Sequence, residues 1–232
     1  MKRIILFVCL GFIIFQTNAQ IGFQLGFNQA LERAKLGSDG EYARDPALNG
    51  FKVGILYEQN FKYGLGLYYA LNYSFLINQT KWNTIGSSGR LQQESNMEHY
   101  LDVPVHFQYK LLLAKDTYMM AYLGPTFTVG LAAEEKVATK YIQENFPSTT
   151  APNDRYKIDV DGDSFYDYGR FDVKASIGIG FQFRNIQLKG GYDFGLLNQY
   201  IDTYNNKESK PWFDYRNEWN IRLVYVLGDW KW

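Results

Sequence analysis

The sequence predicts an all-β protein, an eight-stranded antiparallel up-and-down transmembrane β-barrel. Three observations lead there. Large apolar and aromatic residues recur at every second position in eight separate stretches, the period of a strand with two unlike faces. Charged residues make up 21% of the chain, yet none falls on the apolar face of any of these stretches. The connections between the stretches alternate long and short, the plan of a barrel with tight turns on one side of a membrane and large loops on the other.

Composition sets the bounds. The chain has 232 residues and a formal net charge of zero, so it carries no basic field for nucleic acid. Aromatics at 18% and 21 glycines favour strands joined by turns. A mean hydropathy of −0.32 is too polar for a bundle of apolar helices. At the start, Lys2 and Arg3 precede an apolar run from Ile4 to Phe15, followed by Thr17 and Ala19. This order predicts a signal peptide over residues 1–19, cleaved after Ala19, and a single outer-membrane barrel domain over 20–232. The one cysteine, Cys9, lies in the leader. The mature chain is therefore expected to hold no disulfide and no cysteine-based metal site.

The first strand alternates Phe23, Leu25 and Phe27 with Gln24, Gly26 and Asn28, and the second sets Phe51, Val53, Ile55 and Tyr57 against Lys52, Gly54, Leu56 and Glu58. The third is the uncharged run Tyr63 to Asn78, with Tyr63, Leu65, Leu67, Tyr69, Leu71, Tyr73, Phe75 and Ile77 on one face. Leu101 to Leu111 at odd positions make the fourth, and Met119, Leu123, Phe127, Val129 and Leu131 the fifth. Odd positions from Phe171 to Phe183 make the sixth. Ile186, Leu188, Tyr192, Phe194 and Leu196 make the seventh, and Trp219, Ile221, Leu223, Tyr225 and Leu227 the eighth.

The opposite faces carry Lys52, Glu58, Asp102, His106, Lys110, Asp172, Lys174, Lys189, Asp193 and Arg222. A lysine or arginine facing lipid at mid-bilayer costs about 2–4 kcal/mol. The charge-free face is therefore expected to meet lipid and the polar face to line a lumen. Eight strands leave an interior just wide enough for side chains, and charges there must pair or meet water. Lys52, Glu58, Asp102, His106, Lys110, Lys174, Lys189, Asp193 and Arg222 are expected to form a structural lumenal network. In it Glu58, Asp102 and Asp193 engage the cations. Basic groups outnumber acids in this set, so some are expected to reach water at the rims.

Long connections are expected at Gln29–Asn49, Gln79–His99, Ala132–Arg170 and Asn198–Glu218, and short ones near Asn60, at Lys115–Thr117 and at Arg184–Asn185. Tyr63, Tyr118 and Phe183 are placed in a periplasmic aromatic girdle, and Trp82, Tyr100, Trp212 and Trp219 in an outer one. Pro104 and Pro125 fall at similar height in neighbouring strands and predict a bulge beside His106. A second bulge at Gly228 would turn Trp230 and Trp232 outward.

These stretches resemble the small outer-membrane β-barrels of the porin-family, PorT-like type found in Bacteroidota. The resemblance rests on GFQLGFN at 22–28, GFKVGILY at 50–57, YLDVPVHFQYKLL at 100–112, AYLGPTFTVGL at 121–131 and SIGIGFQ at 176–182. Its most specific part is Tyr100, Leu101, Asp102 and Pro104. The closing Trp230-Lys231-Trp232 is similar to the aromatic ending that barrel-insertion machinery reads. The resemblance implies a fold and the outer membrane of a Gram-negative bacterium, and no activity.

No stretch carries a cofactor motif. Asp159, Asp161 and Asp163 are spaced unlike a calcium loop, which places glycine sixth and glutamate twelfth; they read as a solvated acidic loop. His99 at a loop edge and His106 in the lumen are the only histidines, too few for a catalytic constellation. A non-enzymatic structural or interaction protein is therefore expected. Its expected partners are outer-membrane lipid and a protein at the extracellular loops or the periplasmic side. A narrow pore for ions or small solutes and an outer-leaflet lipid hydrolase are the alternatives.

Overall fold

A computed structural model describes residues 18–35, 42–43, 47–85, 89–141, 147–149, 153–154, 167–201 and 213–227. Eight long strands dominate it: β1 (Asn18–Lys35), β2 (Leu48–Asn60), β3 (Leu65–Gln79), β4 (Arg90–Ala114), β5 (Thr117–Tyr141), β6 (Phe171–Phe183), β7 (Ile186–Gly195) and β8 (Phe213–Leu227). Each pairs antiparallel with the next in sequence, and β8 returns to β1 through a register running from Ile21↔Leu227 to Lys35↔Phe213. The sheet is a closed ring, so no backbone edge faces the hydrocarbon.

Register keeps like with like. Phe23 opposes both Ile55 and Tyr225, and Phe181 opposes Leu188 and Met119. The two-residue turn at Arg184–Asn185 moves the apolar set of β7 onto even positions, and Ile186 still faces outward beside Phe183. Ile21, Leu25, Phe107, Leu123, Ile179 and Leu223 are all exposed on the outer wall. Lys52, Glu58, Asp102, Lys174 and Arg222 are buried within it. Glycines let bulky groups fill the interior: a Cβ at Gly178 or Gly191 would come within 2.2 or 2.1 Å of the Tyr122 hydroxyl.

The strands outgrow their expected bounds on the long-loop side. β4 and β5 have 25 residues each, roughly 80 Å of extended chain, whereas about 9–11 tilted residues cross a bilayer. β3 stops at Gln79↔Ser95 and β6 begins at Phe171↔Val129, so the β4–β5 hairpin continues beyond both of these neighbours to Arg90↔Tyr141. Short strands at Asn83–Ile85, Ser148–Thr149 and Asn153–Asp154 pair with it. The connections expected at Gln29–Asn49, Gln79–His99, Ala132–Arg170 and Asn198–Glu218 shrink to residues 36–47, 80–89, 142–170 and 196–212. Above the membrane both faces of a strand meet water, so a strand there loses the alternation that marks it.

Three local expectations are corrected. No bulge forms at the prolines: the β4–β5 register runs unshifted from Pro104↔Thr126 to Phe107↔Leu123. Gly124, next to Pro125, approaches β4 so closely that a Cβ there would lie 2.2 Å from the Val105 carbonyl oxygen. The register shifts lie instead at His99/Tyr100, where Leu131 is the extra residue, and at Leu112/Ala114. Leu112, beside the second shift and close to the turn, is 55% exposed, where strict alternation puts it inside. Tyr100 and Tyr118 point into the lumen and take no part in the girdles, while Tyr63 and Phe183 are exposed. Gly228, Trp212 and the terminal Trp230-Lys231-Trp232 lie outside the described residues, as do the leader through Thr17 and Asp159 to Asp163. β1 begins at Asn18, so cleavage after Ala19 would leave Gln20↔Glu58 as its first pair with β2.

Candidate functional site

Among the described residues, charge gathers away from water in the lumen, which is built in tiers. Nearest the short turns, Glu58 on β2 accepts from Lys110 Nζ at 2.7 Å, Lys189 Nζ at 3.0 Å and Gln187 Nε2 at 3.0 Å. Gln182 accepts a second bond from Lys110 at 2.9 Å. Each group is inward because its parity opposes the lipid-facing set on its own strand.

Above this tier lies an aromatic layer. The His106 ring is stacked between Tyr68 and Tyr122, with centroids 5.6 and 5.2 Å apart and interplanar angles of 19° and 14°. Arg222 donates to the Tyr122 hydroxyl at 2.7 Å and lies 3.5 Å from that of Tyr68. Gln24 joins the layer through Tyr68 and Asn72. His106 Nε2 meets the Thr126 hydroxyl at 3.1 Å, which meets Ser176 at 2.8 Å. This chain of polar groups is enclosed between two rings, and its histidine is 2% exposed.

The upper tier centres on Glu218. It accepts from Lys52 at 2.8 Å, Lys174 at 3.1 Å and Asn28 at 3.0 Å. Lys52 also pairs with Asp102 at 3.0 Å, and Asp102 accepts from Ser74 and Thr128, both at 2.7 Å. At the mouth, Arg216 pairs with Glu98 at 2.9 Å and lies over the Tyr100 ring, 4.0 Å from its centroid. Tyr100 donates to the same Glu98 carboxylate.

All nine residues named from the sequence, Lys52, Glu58, Asp102, His106, Lys110, Lys174, Lys189, Asp193 and Arg222, are buried in the lumen. They divide between the tiers. Two partnerships differ from expectation. Asp193 accepts from Asn220 at 3.1 Å, and no cation lies within ion-pair distance of it among the described residues. Arg222 spends its hydrogen bonds on tyrosine oxygens. The expected excess of bases is reversed. Among the described residues eight acids are buried, with Glu32, Glu98, Asp172, Asp214 and Glu218 added, against six bases, with Arg216 added. The additions come mainly from strand extensions where the sequence predicts loops. Continuing the alternation of β8 upstream from Arg222 through Asn220 yields Glu218, Arg216 and Asp214 in turn, a signal present in the sequence.

His99 is also relocated. It lies within β4 on the outward parity, its Nδ1 2.5 Å from the Tyr73 hydroxyl and its ring 5.0 Å from that of Phe75. Among the described residues no group of three or more histidine, cysteine, aspartate or glutamate side chains is placed to hold a metal ion.

Solved structures of other proteins are similar to the chain at low identity. The chain is similar to Ail, the attachment invasion locus protein of Yersinia pestis, in its complex with the heparin analogue sucrose octasulfate. There the identity is 13% and the TM-score 0.41, over 90% of this chain and 99% of that one. Neisserial surface protein A is 12% identical with a TM-score of 0.36, over 88% of this chain and 96% of that one. The translocator domain of the autotransporter NalP from Neisseria meningitidis is 6% identical with a TM-score of 0.37, over 97% and 94%. No curated protein matches the chain. The family model for the outer membrane protein beta-barrel domain matches residues 15–200. With a closed ring, an apolar outer wall and a charged interior already in view, the chain belongs to the outer membrane protein beta-barrel domain family.

Proposed function

We propose that the protein is a non-enzymatic outer-membrane barrel with a lumen sealed by side chains, acting as a structural or interaction protein through its surfaces outside the bilayer. The observation that carries this reading is the lumenal ion network. Lys52, Lys110, Lys174 and Lys189 are each at most 3% exposed and each bonded to a carboxylate on another strand. Groups held this way tie the strands together across the axis. An ion crossing the lumen would have to displace several such contacts at once.

The protruding β4–β5 hairpin supports an interaction role on the outer side, since it offers paired backbone and polar side chains well above the lipid. The pattern at Tyr100, Leu101, Asp102 and Pro104 supports placing the chain with the PorT-like barrels of Bacteroidota. Its leader, cleaved after Ala19, would direct export. Planar-bilayer recording tests the sealed lumen: the wild type gives no single-channel steps, whereas steady unitary conductance would replace this reading with that of a narrow pore. A stable protein complex recovered from native outer membrane in mild detergent would supply the partner.

A further inference from the structure

The lipid-facing wall carries a groove of about 130 Å³ across β4, β5 and β6. Two ladder rows make its walls: Tyr109–Ala121–Ile179, and Leu111–Met119–Phe181 one step nearer the short turns. Ala121 is the low point. It is the one small outward side chain in these two rows, flanked by Tyr109 and Ile179, and its neighbours all project from the wall. Such a hollow forfeits packing unless something apolar enters it. The Ala121 row is roughly 13 Å from the turn by strand rise, within the leaflet on the short-turn side.

The turns below supply charge. Lys115 and Arg184 are exposed, one in the β4–β5 turn and the other in the β6–β7 turn. The Arg184 amide donates to the Asp116 carbonyl at 2.8 Å, so the two turns are fastened side by side. An apolar hollow in the hydrocarbon with two exposed cations beside the exposed Asp116 at the adjoining headgroup level suits an amphiphile with an acyl chain and an anionic phosphodiester. We propose that β4–β6 hold a phospholipid of the periplasmic leaflet, with an acyl chain against Ala121 and its phosphate between Lys115 and Arg184. The proposal requires only that the barrel sits in a bilayer. It stands or falls separately from the sealed lumen.

Native mass spectrometry of the full barrel, titrated with phosphatidylglycerol in detergent, tests it. The wild type retains one lipid ahead of all others. Ala121→Phe fills the hollow, and Lys115→Glu/Arg184→Glu reverses the charge; each weakens retention of that first lipid about tenfold. Ala175→Phe, an outward alanine toward the other end of β6, leaves it unchanged. Folding of each variant is checked by heat-modifiable gel mobility, and Ala121→Leu gives the same order if phenylalanine prevents folding. Inorganic phosphate at millimolar concentration does not displace the lipid. Equal retention by Ala121→Phe and wild type overturns the acyl seat. Equal loss in Ala175→Phe shows non-selective lipid coating and overturns the site. Displacement by inorganic phosphate reassigns the turns to a free anion.

Discussion

Replacing Glu58 with glutamine removes one negative charge and keeps the side chain's shape. Glu58 alone in its tier faces two ammonium groups, Lys110 at 2.7 Å and Lys189 at 3.0 Å. Both lysines are 2% exposed, and Glu58 itself is fully buried. Breaking one buried pair costs about 3–5 kcal/mol, because the surviving charge stays out of water. Two cations lose their counter-charge here, so Glu58→Gln is expected to destabilise the barrel by about 5 kcal/mol, the top of that range. Equilibrium urea unfolding of the barrel refolded in micelles, followed by tryptophan fluorescence, reads this as a lower midpoint at unchanged slope. Adding Lys189→Met to Glu58→Gln leaves one stranded cation and recovers about half the loss, a coupling that a double-mutant cycle measures. A loss under about 1 kcal/mol, the value of a solvated pair, would mean that water reaches this tier, and the sealed lumen would fail with it.

Gly191→Ala places a Cβ 2.1 Å from the Tyr122 hydroxyl; overpacking of this kind costs about 1–3 kcal/mol, and Tyr122→Phe in the same chain should return part of it in the unfolding assay. Leu123→Lys, outward on β5 near mid-bilayer, should lower stability in vesicles by about 2–4 kcal/mol; Gln79→Lys, exposed at the outer end of β3, should leave it unchanged. Intact-mass analysis of the protein from the outer membrane should give a chain beginning at Gln20, and a mass retaining the leader would refute the cleavage site.

Within the membrane belt, parity was enough to read the fold. Water on neither side of that belt is equivalent to lipid, so every inward and outward choice from Phe23 to Leu227 carries a large penalty if reversed. The pairing of Phe181 with Leu188 could be written from a two-residue turn alone. Above the belt that penalty vanishes. Gln92 to Glu98 lie in a ladder with residues 133–139, yet no alternation marks them, and Glu98 was hidden there. Glu218 and Arg216 fall outside the predicted eighth strand, which starts at Trp219, where its apolar face begins. Tyr100 and Tyr118 show the opposite error. Both sit at strand ends where girdle aromatics belong, but their even positions already placed them on the lumenal face. The bulge expected beside His106 leaves out of account Gly124 opposite that histidine, whose missing side chain gives β4 room to pass close by.

The β4–β5 hairpin is continuous from the turn at Lys115–Asp116 to Arg90↔Tyr141. A partner gripping its far end pulls on two strands that stay paired, through the shifts at His99/Tyr100 and Leu112/Ala114, to the opposite side of the bilayer. Tension is then shared along the whole ladder as shear, and the anchor for that tether is the full ring of eight strands.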